Sequence, residues 1–133
     1  MGCIGCPQCR GKLEKVIYQS IEIDRCSLCR GIWFDRLEAE ELRRIKGSES
    51  VDIGKPTPCQ GRPCQSVGCP RCGKTMVQML DFGQQPLWYE KCSQCQGMWL
   101  EAGRFKVFKQ NLPTPGNWAR NKAKQVLTVA RSI

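Results

Sequence analysis

One arrangement of paired cysteines occurs twice along the chain, and it restricts the fold more than any other feature. The first copy reads Cys6-Pro7-Gln8-Cys9, then sixteen residues, then Cys26-Ser27-Leu28-Cys29. The second reads Cys69-Pro70-Arg71-Cys72, then nineteen residues, then Cys92-Ser93-Gln94-Cys95. Two residues inside each pair and fifteen to twenty between pairs is metal-site spacing. The likeness continues past the cysteines, with Arg30-Gly31-Ile32-Trp33-Phe34-Asp35 after the first copy and Gln96-Gly97-Met98-Trp99-Leu100-Glu101 after the second. Such self-similarity marks a duplicated unit.

Each unit is too short to fold on a hydrophobic interior alone. Domains of about 40 residues need disulfides, a metal or a partner. The chain begins Met1-Gly2-Cys3 without a basic, then apolar, leader, and its eleven cysteines are an odd number. A cytoplasmic chain with reduced, metal-binding thiols is therefore expected. Four thiolates on two tight turns predict a closed tetrahedral zinc site, worth roughly 10–16 kcal/mol of apparent binding energy in zinc-finger peptides. The expected ligands are Cys6, Cys9, Cys26 and Cys29 for one Zn2+, and Cys69, Cys72, Cys92 and Cys95 for a second. A single tetrahedral iron is the rival ion for such a donor set. With no position left for water, the metal can support the fold but cannot activate a nucleophile.

The predicted fold class is small, metal-bound α+β: two tandem ribbons, each a β-hairpin plus a short helix. In the first copy the strands are expected at 12–19 and 21–25, where Ile21 and Ile23 alternate with polar residues. In the second they are expected at 75–80 and 86–91, with residues 81–85 as a longer loop. Asp35 and Glu38 predict a capping box opening the first helix, with Leu37, Leu42 and Ile45 on its apolar face. Phe105 and Phe108 mark the second helix. Trp33 and Trp99 suit the small core of each ribbon better than a base-stacking surface, whereas Trp88 and Tyr89 read as an exposed aromatic surface.

These residues resemble the transcription-factor-IIB-type zinc ribbon family of small bacterial proteins. That pattern opens with Cys-Pro-x-Cys and closes with Cys-x-x-Cys-x-Gly-x-Trp, an apolar residue and an acid. The resemblance covers roughly residues 6–45 and 69–108, and it implies that the four matched cysteines of each copy are zinc ligands. The family carries Gly-Glu shortly after the acidic residue. Here Leu37-Glu38 and Gly103-Arg104 stand instead.

The expected organisation is a first ribbon with its helix over 1–46, a flexible linker over 47–68, a second ribbon over 69–112 and a basic, helical tail over 113–133. The linker should leave the ribbons free to move relative to each other. It holds Cys59 and Cys64, which together with Cys3 lie outside the repeat and read as free or oxidisable thiols. Ala119, Ala123, Val126, Leu127 and Ala130 would share one helical face of the tail.

The formal net charge is +9. Each tetrathiolate zinc site contributes −2, so the loaded chain carries about +5. Without histidine or a phosphate-binding glycine loop, no catalytic constellation is present and a non-enzyme is expected. The leading expectation is a recognition module that contacts nucleic acid or a protein of a nucleic-acid machine, with no small-molecule substrate and no membrane. The candidate contact residues are Arg71, Lys74, Trp88, Tyr89, Lys91, Arg104, Arg120, Lys122, Lys124 and Arg131. The alternatives are a protein–protein adaptor with purely structural zinc and a thiol redox or metal-handling protein.

Overall fold

The computed structural model describes residues 5–9, 11–55, 67–112 and, for the backbone, 126–129. The first copy forms a hairpin of β1 (Leu13–Tyr18) and β2 (Ile21–Cys26). Gln19 and Ser20 join them with positive φ at both positions, as a two-residue hairpin turn with matching twist requires. A third strand, β3 (Ile32–Phe34), and helix α1 (Glu38–Leu42) follow. A single 3-10 turn occupies Ser48–Val51. The second copy repeats the order with β4 (Val77–Phe82), β5 (Pro86–Lys91), β6 (Met98–Leu100) and α2 (Arg104–Gln110). Strand β7 (Val126–Val129) comes last.

All seven strands belong to one antiparallel sheet in the order β1-β2-β3-β6-β5-β4-β7. The short strands β3 and β6 hold its centre. Ile32 pairs with Leu100, Trp33 with Trp99 and Phe34 with Met98, so the equivalent tryptophans face each other and the flanking pairs exchange about a quasi-two-fold axis. This corrects the expectation of ribbons moving freely on a linker. Ile-Trp-Phe and Met-Trp-Leu are apolar at every position because both faces of a central strand are covered.

One face of the sheet carries the helices. Ile23, Phe34, Leu42, Leu87, Leu100 and Phe105 share this core, and the Phe34 and Phe105 rings lie 5.3 Å apart across the repeat boundary. The other face carries Trp33, Trp99 and the cysteines.

The helix ends are tied reciprocally. Arg43, just past α1, donates to the Phe108 carbonyl at 3.3 Å and lies 4.1 Å above the Phe108 ring. Its repeat equivalent, Lys109, donates to the carbonyls of Ile45 and Arg43 at 2.7 and 3.2 Å. Cations at helix C-termini are favourable, and here each serves the other repeat's helix. Residues 47–55, expected to open the linker, take part as well. Asp52 is only 1% exposed and accepts hydrogen bonds from the Gly103 and Lys106 N–H groups at 2.9 and 3.0 Å, capping α2.

The Asp35 cap forms only in part. Glu38 reaches back to the Asp35 N–H at 2.9 Å, but the helix starts two residues later than expected and the Asp35 carboxylate turns elsewhere. Leu37 and Gly103, equivalent residues preceding the two helices, have φ of 70° and 82°. The left-handed conformation explains a family preference for glycine there. Of the tail, Val126–Val129 is a strand antiparallel to β4, not the expected helix. Its β-branched residues suit a strand, and the β4 edge offers backbone groups to pair with. The remaining tail positions lie outside the described residues.

Candidate metal centres

Each of the four Cys-x-x-Cys turns is built alike. The first cysteine of each pair is buried and the second half-buried. The first sulfur accepts two backbone N–H bonds, from the residues two and three places on. For Cys6 the donors are Gln8 and Cys9, both at 3.3 Å. For Cys26 they are Leu28 and Cys29 at 3.3 and 3.4 Å. Cys69 accepts from Arg71 and Cys72 at 3.3 and 3.2 Å, and Cys92 from Gln94 and Cys95, both at 3.4 Å. N–H bonds to sulfur favour the thiolate form.

The turns close on themselves through backbone bonds from Cys26 N–H to Gly31 and from Cys92 N–H to Gly97, at 2.9 and 3.0 Å. Arg30 and Gln96 turn the chain into those glycines with φ of 68° and 69°.

The four sulfurs of each set converge to within 4.8 Å of one another. Individual separations are 3.7 Å for Cys6–Cys9 and Cys6–Cys29, 3.4 Å for Cys9–Cys26 and 3.7 Å for Cys69–Cys95. A tetrahedron with Zn–S bonds near 2.3 Å has edges of about 3.8 Å. The donor sets therefore fit one mononuclear ion each. The Cys6 thiol is drawn down to about 5, first by the hydrogen bond from Cys29 and then by the N–H groups of Cys9 and Gln8 against the cost of burial. The same contact pushes Cys29 strongly up. In the second set, burial pushes Cys95 up to about 12; at Cys92 burial also pushes up, but the N–H groups of Cys95 and Gln94 together with the Cys95 and Cys69 thiols bring it to about 7. Protein groups thus draw Cys6 and Cys92 toward the thiolate and push Cys29 and Cys95 away from it, and a dication supplies the charge that lets all four sulfurs of a set ionise. Both sets fit Zn2+, which would hold the turns together and fill the place of a core.

Residues 5–44 match the model of a family described as transcription factor zinc-finger. The first repeat is a zinc ribbon of the transcription-factor-IIB type. The second four-cysteine set has the same turn geometry, so the chain carries two tandem zinc ribbons. No match was found among curated proteins or among solved structures.

The tryptophans bridge the two ribbons. The Trp33 indole N–H donates to Asp35 at 3.0 Å, and that of Trp99 to Gln8 in the first ribbon's opening turn at 3.2 Å. A β-carbon at Gly31 would collide with the Trp99 ring, and one at Gly97 with the Trp33 ring. The Gly-x-Trp element is therefore a reciprocal contact: each ribbon's tryptophan lies on the other's glycine.

The candidate contact residues are distributed unevenly. Arg71 grips the Asp35 carboxylate with two bonds at 2.6 and 3.0 Å and approaches Asp24 at 3.6 Å, tying the second ribbon to the first. Arg104 is 4% exposed, donates to the Trp88 carbonyl at 3.0 Å and pairs with Glu101 at 3.3 Å. Tyr89 is buried edge-on against Phe108, and Trp88 and Lys91 are half-buried. These placements correct the expectation of an exposed Trp88–Tyr89 surface. Lys74 is exposed. Arg120, Lys122, Lys124 and Arg131 lie outside the described residues, as do Cys3, Cys59 and Cys64. Asp52, Arg43 and Lys109 had no sequence signal as inter-repeat contacts. For Arg43 and Lys109, aligning the repeats on Trp33 and Trp99 exposes the equivalence.

Proposed function

We propose that the chain is a non-enzymatic docking module for a protein of a nucleic-acid-processing assembly, acting in the cytoplasm with its zinc purely structural. One observation carries this reading. The outer edge of β1 faces no strand among the described residues, and Ile17 on it is 66% exposed. The repeat-equivalent edge, β4, is covered by β7, and Leu80, the counterpart of Ile17, is 8% exposed. The same fold thus accepts an added strand on one side and presents a matching edge on the other. An edge strand with exposed apolar side chains supports strand addition by an extended partner segment. Exposed Glu22 lies opposite Ile17 on β2 and exposed Lys15 precedes it by two residues on the same face, so the apolar side chain is flanked by both signs of charge.

The internal ties support protein docking over phosphate binding. Arg71 and Arg104 are held by carboxylates, and Trp33 and Trp99 are core. The test is affinity capture of a partner from nuclease-treated lysate in high salt, with wild type and Ile17→Asp side by side. A protein retained by the wild type and lost with Ile17→Asp supports the reading. Binding that vanishes with nuclease, or that ignores the Ile17 substitution, overturns it. The tail's four cations without an acid favour direct nucleic-acid contact as the second reading. Direct contact would show as affinity for nucleic acid that falls steeply with salt.

A further inference from the structure

The two metal centres share one apolar layer. Trp33 and Trp99 lie in it side by side, with the sulfurs of both sets packed against the same cluster. Each tryptophan rests on the glycine that closes the other ribbon's second cysteine turn. Trp33, carried by the first ribbon, backs the turn that presents Cys92 and Cys95. Trp99, carried by the second, backs the turn that presents Cys26 and Cys29. The indole of Trp99 also bonds Gln8, between Cys6 and Cys9. Each four-sulfur set is therefore shaped partly by the ribbon that does not contain it.

We propose that the two zinc sites are thermodynamically coupled and fill as a pair, so that the chain responds to zinc as a single two-ion switch between unfolded and folded states. An ion in one set orders its ribbon and places that ribbon's tryptophan. The tryptophan then holds the other ribbon's turn near its binding geometry before the second ion arrives. By linkage the effect is reciprocal: emptying either site weakens the other. Pre-organisation is the sole source of coupling here, because two dianionic centres gain nothing from each other's charge.

The test is stepwise zinc addition to the metal-free, reduced full-length chain, followed by native mass spectrometry under competition from a chromogenic chelator. Independent equal sites would populate the one-zinc species to roughly half at the midpoint, whereas tenfold coupling holds it to about a quarter. The wild type is expected at or below that lower level, and a one-zinc population near half overturns the proposal. In the double variant Cys72→Ser/Cys95→Ser, affinity at the remaining site should lie about tenfold or more below the affinity with which the wild type binds once its other site is filled. Affinity equal to that wild-type value also overturns it. Trp99→Leu keeps all eight ligands and should raise the one-zinc species toward the independent value. If Trp99→Leu binds two ions with wild-type stepwise populations, the tryptophan contact is not the source of coupling and the proposal fails. If that variant does not fold, the wild-type populations and the cysteine double variant decide.

Discussion

Replacing Asp52 by alanine should destabilise the second ribbon from a position seventeen residues before that ribbon's first cysteine. The Asp52 carboxylate accepts the N–H groups of Gly103 and Lys106, one per oxygen, at 2.9 and 3.0 Å. Removing an N-cap costs about 0.5–2 kcal/mol, and a buried donor left without a partner about 1–3 kcal/mol. Asp52 is almost fully buried, so water replaces its oxygens poorly. The expected loss is about 2 kcal/mol, a fall of roughly 30-fold in the folded-to-unfolded ratio and about 8 °C in Tm. Asp52→Asn keeps one acceptor oxygen and should lose about half as much. Burial pushes the Asp52 carboxyl above its ordinary value, against the pull of the two N–H groups. A raised acid binds more protons folded than unfolded, so its contribution to stability declines as pH rises from the usual aspartate value through the raised one. Relative to Asp52→Asn, the wild type should lose ground across that window and run parallel above it. The assay is thermal unfolding followed by circular dichroism at buffered free zinc, with amide exchange at Gly103 and Lys106. Unchanged Tm together with unchanged exchange at those two amides would refute the cap and the docking of residues 47–55.

Gly97→Ala should destabilise by about 1–3 kcal/mol, because its new methyl meets the Trp33 ring; adding Trp33→Leu should recover part of that loss, measured by a double-mutant cycle in denaturant. Arg71→Ala should cost no more than about 1 kcal/mol, since the Asp35 pair is partly exposed, and Arg71→Lys should recover little because the two-pronged grip is lost; chemical unfolding at low and high salt checks both. Chelating the metal should abolish cooperative unfolding and release two zinc ions per chain, read by elemental analysis and calorimetry.

The metal ligands were legible in the sequence because cysteine pairs on tight turns have few other uses. The β1–β2 and β4–β5 hairpins followed from alternation and turn residues, and Phe105 and Phe108 correctly marked α2. Strands β3 and β6 escaped notice because three apolar residues have no readable period. One of the two partners of each lies in the other repeat, and long-range pairing leaves no local trace. Arg71 is the instructive case. In sequence it is an exposed cation on a cysteine turn, a natural phosphate contact. In the fold it is claimed by Asp35, which itself had looked like a helix cap. Both readings were locally sound, and only the juxtaposition of the ribbons decides between them. The strand at Val126–Val129 was missed because alanine spacing upstream suggested a helix, while the β4 edge that pairs with it lies far back in the chain.

The meeting of β3 with β6 joins surfaces that in separate molecules would make a symmetric dimer. Tethering them on one chain removes dependence on protein concentration, since the second half is always present at the millimolar levels typical of short connections. It also frees the seam from strict two-fold symmetry. Asp35 answers Arg71 across it, whereas the positions related by the axis hold Glu101 and Gln8, which do not repeat that ion pair. Each half can therefore specialise without spoiling its own complement, and among the described residues an outside strand would meet one edge already taken and the other without a strand.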